Sequence, residues 1–127
     1  LRVSARQAFK MSKTSPQDMS FAELHDAFTI LEIVESEDAG FFKKGTGHEA
    51  LREGVTALEG KFPINPSGGL KARGHPVGAT GVAQIVELVW QLRGQAGERQ
   101  VENAQRAFSC NLGGFANNIL AFVLERS

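Results

Sequence analysis

The 127-residue chain has 42% hydrophobic and 22% charged residues, a globular composition in a length that suits one domain with a real core. Fourteen Lys and Arg balance fourteen Asp and Glu, so the charge gives no case for nucleic acid or an anionic membrane as the main partner. No apolar run approaches the roughly 20 residues of a membrane helix, and the one cysteine, Cys110, excludes an intrachain disulfide and favours a reducing, cytoplasmic setting. The opening "LRVSARQAFKMSK" has basic residues but no apolar core after them, which argues against a secretory signal. The chain starts at Leu1, and its first residues read as the middle of a helix, so the expectation is a piece of something longer.

In chain order, Val3, Ala5, Ala8, Phe9 and Met11 share one face of a short amphipathic helix. Ser15 is placed to cap a turn or short helix that Pro16 opens. Phe21 to His25 is a strand candidate. A helix follows, capped by Asp26, with apolar residues at Phe28, Ile30, Leu31, Ile33 and Val34, and it stops at Gly40. Residues 41–60 are irregular apart from a helical turn near Glu49–Glu53, and Lys61–Ile64 is a short strand. After a glycine-rich loop comes a helix from about Gly78 to Arg93. Val82, Ile85, Val86, Leu88, Val89 and Leu92 predict a wide, buried apolar face for it. "GQAGERQVENA" is a polar loop. "QRAFSCNLGG" and "FANNILAFVLERS" are strands joined at Gly113-Gly114, an antiparallel pair. The order predicts one α/β domain over residues 1–127 with a mixed sheet.

The densest chemical signal is Asn65–Gly81, "NPSGGLKARGHPVGATG". Glycines before a helix let backbone N–H groups approach a ligand, and the helix N-terminus favours negative charge, which suits a phosphate, a carboxylate or a developing oxyanion. Neither a Walker loop nor a dinucleotide fingerprint is present. The alternative is a tight loop whose glycines allow close packing. His75 sits inside it, held extended by Pro76, and an imidazole there suits a base near neutral pH. It could equally be a loop histidine bonded to backbone. His25 and Asp26 mark a strand-to-helix junction, where α/β domains place functional groups. His25 could donate to substrate or water, or be a buried structural residue. Cys110 precedes "NLGG" and could be a nucleophile or acid if something lowered its pKa, or inert packing. His25, His48, His75 and Cys110 show no metal-ligand spacing, and His48 reads as a surface loop residue.

These stretches resemble the thiolase family. "NPSGGLKARGHPVGATG" is similar to its active-site loop, and the match runs on through "AQIVELVWQLRGQAGERQV" in the manner of the sterol-carrier-protein-type and archaeal–bacterial acetyl-CoA acetyltransferase branch. "ELHDAF" resembles the family's N-E-A-F motif in an H-D-x-F form, and "CNLGG" falls where ordinary members carry C-x-G. The resemblance implies the C-terminal half of a two-half subunit, a mixed sheet with helices on both faces. It implies acyl transfer between a cysteine of the N-terminal half and coenzyme A as substrate, with no metal or redox cofactor. His75 becomes the base that activates that cysteine, and His25 holds an oxyanion-hole water. Asn65, Gly68, Gly69, Gly74, Gly113 and Gly114 become loop positions near the pantetheine. The implied partners are acyl-CoA, the N-terminal half, a second copy in a homo-oligomer, and a small OB-fold, zinc-ribbon protein.

Two departures stand out. The sterol-carrier-type H-D-C-F cysteine is Ala27 here, and the C-x-G cysteine position falls on Asn111, one residue past Cys110. Either a one-residue shift brings Cys110 into the site or the second acid/base is absent. The alternatives are then a non-catalytic half that binds acyl-CoA or a partner, or half of an acyl-CoA aldolase. The aldolase reading is weakened by the absence of tyrosine.

Overall fold

A computed structural model describes residues 1–127. Helix α1 (Arg2–Ser12) is followed by a 3-10 turn at Pro16–Asp18 and strand β1 (Phe21–Glu23). Helices α2 (Thr29–Ala39), α3 (Gly47–Arg52), α4 (Gly69–Arg73) and α5 (Thr80–Leu92) come next, then strands β2 (Arg106–Gly113) and β3 (Asn118–Glu125). The sheet order is β1-β2-β3. β1 runs parallel to β2, with Phe21 opposite Ala107, and β2 runs antiparallel to β3, with Cys110 opposite Ala121. The mixed sheet and the hairpin at Gly113-Gly114 are therefore as the sequence predicts. The expected strand at Lys61–Ile64 reduces to one parallel bridge, Ile64 to Ala22.

Successive residues of a strand face opposite sides, and β2 divides the protein accordingly. Phe108 and Cys110 join Ala22 and Leu24 in a core with Ala5 and Phe9 of α1. Phe9 stacks on Phe108 at 5.2 Å between ring centroids, and Phe41 meets Phe108 edge-on at 5.4 Å. On the other side Phe21 and Ala107 pack with Leu88 and Leu92 of α5. Helices thus cover both faces, α1 on one and α5 on the other. On α1 only Ala5 and Phe9 of the predicted face are fully buried. Val3 and Met11 lie in the open.

Three sequence expectations change. The helix after β1 begins at Thr29 with Phe28 as its cap residue, so Asp26 does not cap it. Its Oδ1 instead accepts the backbone N–H of Leu70 at 2.7 Å, across 44 residues of sequence. The C-terminal stop at Gly40 holds, in left-handed backbone. Second, the loop contains the extra helix α4. Third, α5 buries a polar stripe together with only part of its apolar one. Thr80, Gln84, Glu87 and Gln91 are buried with Leu88 and Leu92, while Val82, Val86 and Trp90 are exposed. The polar stripe is covered because it is satisfied. Gln84 Nε2 donates to the Cys110 carbonyl at 2.9 Å. Gln91 Oε1 accepts the Val101 N–H at 2.7 Å, and Glu87 is held by Arg99 at 3.0 Å. A buried polar group so paired carries little penalty. No helix is long and apolar enough to cross a membrane.

Candidate active site

The site lies where β1, the α4–α5 loop and the β2–β3 turn meet. Two residues past the end of β1, the chain presents His25. Its backbone N–H donates to Glu35 Oε2 of α2 at 2.8 Å, which fixes where the residue leaves the sheet. The preceding residue, Leu24, donates its N–H to Asn65 Oδ1 at 2.8 Å, and Asn65 Nδ2 reaches Glu32 Oε2 at 3.1 Å. Glu23 grips the start of the glycine loop by accepting the Ser67 N–H at 3.0 Å and hydroxyl at 2.8 Å. The loop then passes so close to Asp26 that a Cβ at Gly69 would run into its carboxylate. These bonds deliver His75 to His25. The two rings stand edge to face with centroids 4.9 Å apart.

His75 is oriented by Thr80, the first residue of α5. His75 Nδ1 lies 2.7 Å from Thr80 Oγ1, and that hydroxyl donates to the Pro76 carbonyl at 3.2 Å. Both bonds form together only when Nδ1 carries the imidazole hydrogen, which leaves Nε2 with a free lone pair. His25 is turned toward Asn111, whose Nδ2 lies 3.1 Å from His25 Nδ1. Burial first, then the neighbouring His75, pull the pKa of His25 below its ordinary value, against the pull of Asp26. The two rings open on a cavity of about 570 Å³, otherwise lined by apolar residues that include Phe28, Leu31, Val77 and Phe115.

Carboxylates behind the site are shifted upward. Burial raises Glu35 to about 8, only partly offset by the His25 N–H, and its Oε1 is buried with no partner. Burial raises Glu23 to about 7, opposed by Ser67 and Arg73. Glu32 is raised by burial too.

The residues predicted for the site separate into four groups. His25, His75 and Gly114 line the cavity, as does Ala27. Asn65, Gly68, Gly69 and Gly74 shape the loop from behind: the amide of Asn65 is committed to Leu24 and Glu32, Gly68 and Gly69 open α4, and Gly74 precedes His75. Gly113 pairs with Asn118 in the hairpin. Cys110 is on the wrong face. It is fully buried in the α1-side core, and burial pushes its thiol well above the ordinary range. No register shift brings it round, because the β2 ladder is unbroken from Arg106 to Gly113. Asn111 stands toward the histidines instead. Thr80, Gln84 and the apolar lining were not singled out from the sequence. The repeat of Thr80, Gln84, Glu87 and Gln91 at helical spacing was the available signal.

This fold and site define the class of protein. Residues 1–126 match the family model described as Thiolase C-terminal domain-like, and the chain belongs to that family. It is 51% identical over 123 residues to an acetyl-CoA acetyltransferase of Methanothermobacter thermautotrophicus, a match covering 97% of this chain and 32% of that protein. Over 112 residues it is 46% identical to sterol carrier protein 2 of Homo sapiens, covering 88% of this chain and 20% of the relative. The solved structure of an "Ltp2-ChsH2(DUF35) aldolase" superposes with a TM-score of 0.77 at 24% identity, over 96% of this chain and 30% of that one. At that identity the likeness speaks for the fold alone. The chain spans about a third or less of the length of each.

Proposed function

We propose that this chain is the C-terminal half of a thiolase-like acyl-CoA acyltransferase, in which an acyl group passes between coenzyme A and a cysteine outside this chain. The observation that carries the reading is the meeting of His75 and His25 at the mouth of an apolar cavity. The free Nε2 of His75 can take the proton of an incoming thiol. The thiolate then attacks the thioester carbonyl, and His25 is placed to stabilise the oxygen as it becomes negative. When the intermediate collapses, the acyl group stays on the cysteine and the coenzyme A thiolate leaves, taking its proton from His75. The apolar lining accommodates an acyl chain.

The second reading is a half that binds acyl-CoA without carbon–carbon chemistry. It is favoured by one observation: no thiol lines the cavity, since Ala27 and Asn111 occupy the two places where the family carries a second cysteine and Cys110 faces away.

The test is thiolysis of acetoacetyl-CoA by the chain alone and reconstituted with an N-terminal half. The expected result is turnover only in the reconstituted form, falling about 10²–10⁴-fold in His75→Ala. Turnover indifferent to His75→Ala would sink the acyltransferase reading. Silence in the folded complex, broken by Ala27→Cys, would favour the binding reading for the natural chain.

A further inference from the structure

The polar contacts on the α5 side of β2 determine more than position. A carbonyl oxygen only accepts hydrogen bonds, so the Gln84 atom 2.9 Å from the Cys110 carbonyl is its amide nitrogen. Gln84 Oε1 then faces Asn111 and receives a hydrogen from Nδ2 at 3.1 Å. Asn111 Nδ2 has one hydrogen left, and His25 Nδ1 lies 3.1 Å away. A neutral imidazole nitrogen that accepts a hydrogen bond holds no proton, so the hydrogen of His25 is on Nε2. The chain of bonds has no slack. Gln84 is 1% exposed, and a Cβ at Gly81 would already stand 3.3 Å from Asn111 Cγ.

We infer that Asn111, oriented by Gln84, is a positioning residue that locks His25 in the tautomer presenting Nε2–H to the cavity. This rests on the reading of His25 as the group that stabilises a thioester oxygen. The two histidines then hold opposite tautomers. His75 offers a bare Nε2 and takes a proton, while His25 offers Nε2–H and gives a hydrogen bond. The residue type follows from the demand for two donors on one atom. An amide nitrogen supplies both, a carboxylate supplies none, and a thiol has only one weak donor.

Nitrogen NMR of histidine-labelled chain, all 127 residues, reads the tautomer directly at mildly alkaline pH, with His25 assigned by its loss in His25→Gln. The expected wild-type pattern is Nε2–H, replaced by Nδ1–H in Asn111→Asp, where the carboxylate must accept. In the reconstituted enzyme Asn111→Asp should lower kcat about 10²-fold with KM little changed. A wild-type proton on Nδ1, or an unchanged tautomer in Asn111→Asp, would overturn the lock. An unchanged kcat in Asn111→Asp, in an enzyme that turns over, would overturn the positioning role. Because the tautomer is read without turnover, an inert reconstituted enzyme counts against the acyltransferase reading and leaves the lock standing or falling on its own spectrum.

Discussion

The two faces of the sheet are built on different rules, although the same strand supplies both. On the α1 face, Phe108 and Cys110 sit among Phe9, Ala22 and Leu24. On the α5 face, Ser109 and Asn111 alternate with them along β2, and the helix above brings Gln84, Glu87 and Gln91 into burial. One face gains from area removed from water, the other from buried polar side chains that hydrogen-bond one another. The lesson is in the spacing. Cys110 and Asn111 are neighbours, yet one is inert packing and the other faces a histidine pair, because a strand changes sides at each residue.

The difference can be tested from the α1 side, by breaking its core, its buried carboxyl and its thiol in turn. The largest effect is expected at the core. Phe108→Ala removes a ring that stacks on Phe9 and meets Phe41, and should cost about 3–5 kcal/mol of stability by denaturant unfolding. A loss under about 1 kcal/mol would mean this core is not what holds the sheet.

Next in size is Glu35, the carboxyl on the α1 side whose Oε1 has no partner. Its folded pKa of about 8 lies above the ordinary 4.5, so the fold favours the protonated form. Its contribution is therefore fully present below about pH 4.5 and is lost as pH rises through about 8. Glu23, at about 7, acts in the same direction. Thermal unfolding should show stability falling from mildly acidic to mildly alkaline pH. Glu35→Gln keeps an oxygen for the His25 N–H and should recover on the order of 2 kcal/mol at alkaline pH. A variant with the wild-type pH profile would place the titration elsewhere.

The smallest effect is expected at Cys110. Cys110→Ala should cost about 1 kcal/mol and leave turnover of the reconstituted enzyme unchanged, and the native thiol should resist alkylation until the chain unfolds. Rapid alkylation of the folded chain would show that the two faces are not separated as described.

How much of this was legible depends on which force decided each feature. Local rules decided α1, the Ser15–Pro16 turn, the Gly40 stop and the Gly113-Gly114 hairpin, and all were readable from periodicity and turn residues. Tertiary contacts decided the rest. Asp26 looks like a helix cap in the sequence because caps are local, and only the folded chain brings Leu70 to it. The hydrophobic pattern of α5 shows which residues share a face but not which face the protein covers. Val82, Val86 and Trp90 recur every fourth residue and remain outside. His25 and His75 stood out by residue type and neighbours, whereas Asn111 was visible only as the place where a cysteine was missing.

The glycine loop carries one further consequence, for how this sequence can drift. Gly74 has φ 85° and ψ 172°, a backbone region essentially closed to side chains, yet no atom lies within 4 Å of where its Cβ would be. Its constraint is private, and no second mutation nearby can relieve it. Gly69 is hemmed in by the Asp26 carboxylate, at a φ of 64° that asparagine also tolerates. A partner change at Asp26 could open that position, but only by abandoning the Leu70 N–H it holds. In a random library the first glycine should be invariant among folded survivors. The second should vary only together with Asp26, so that two adjacent parts of one loop leave different signatures: one absolute, the other epistatic.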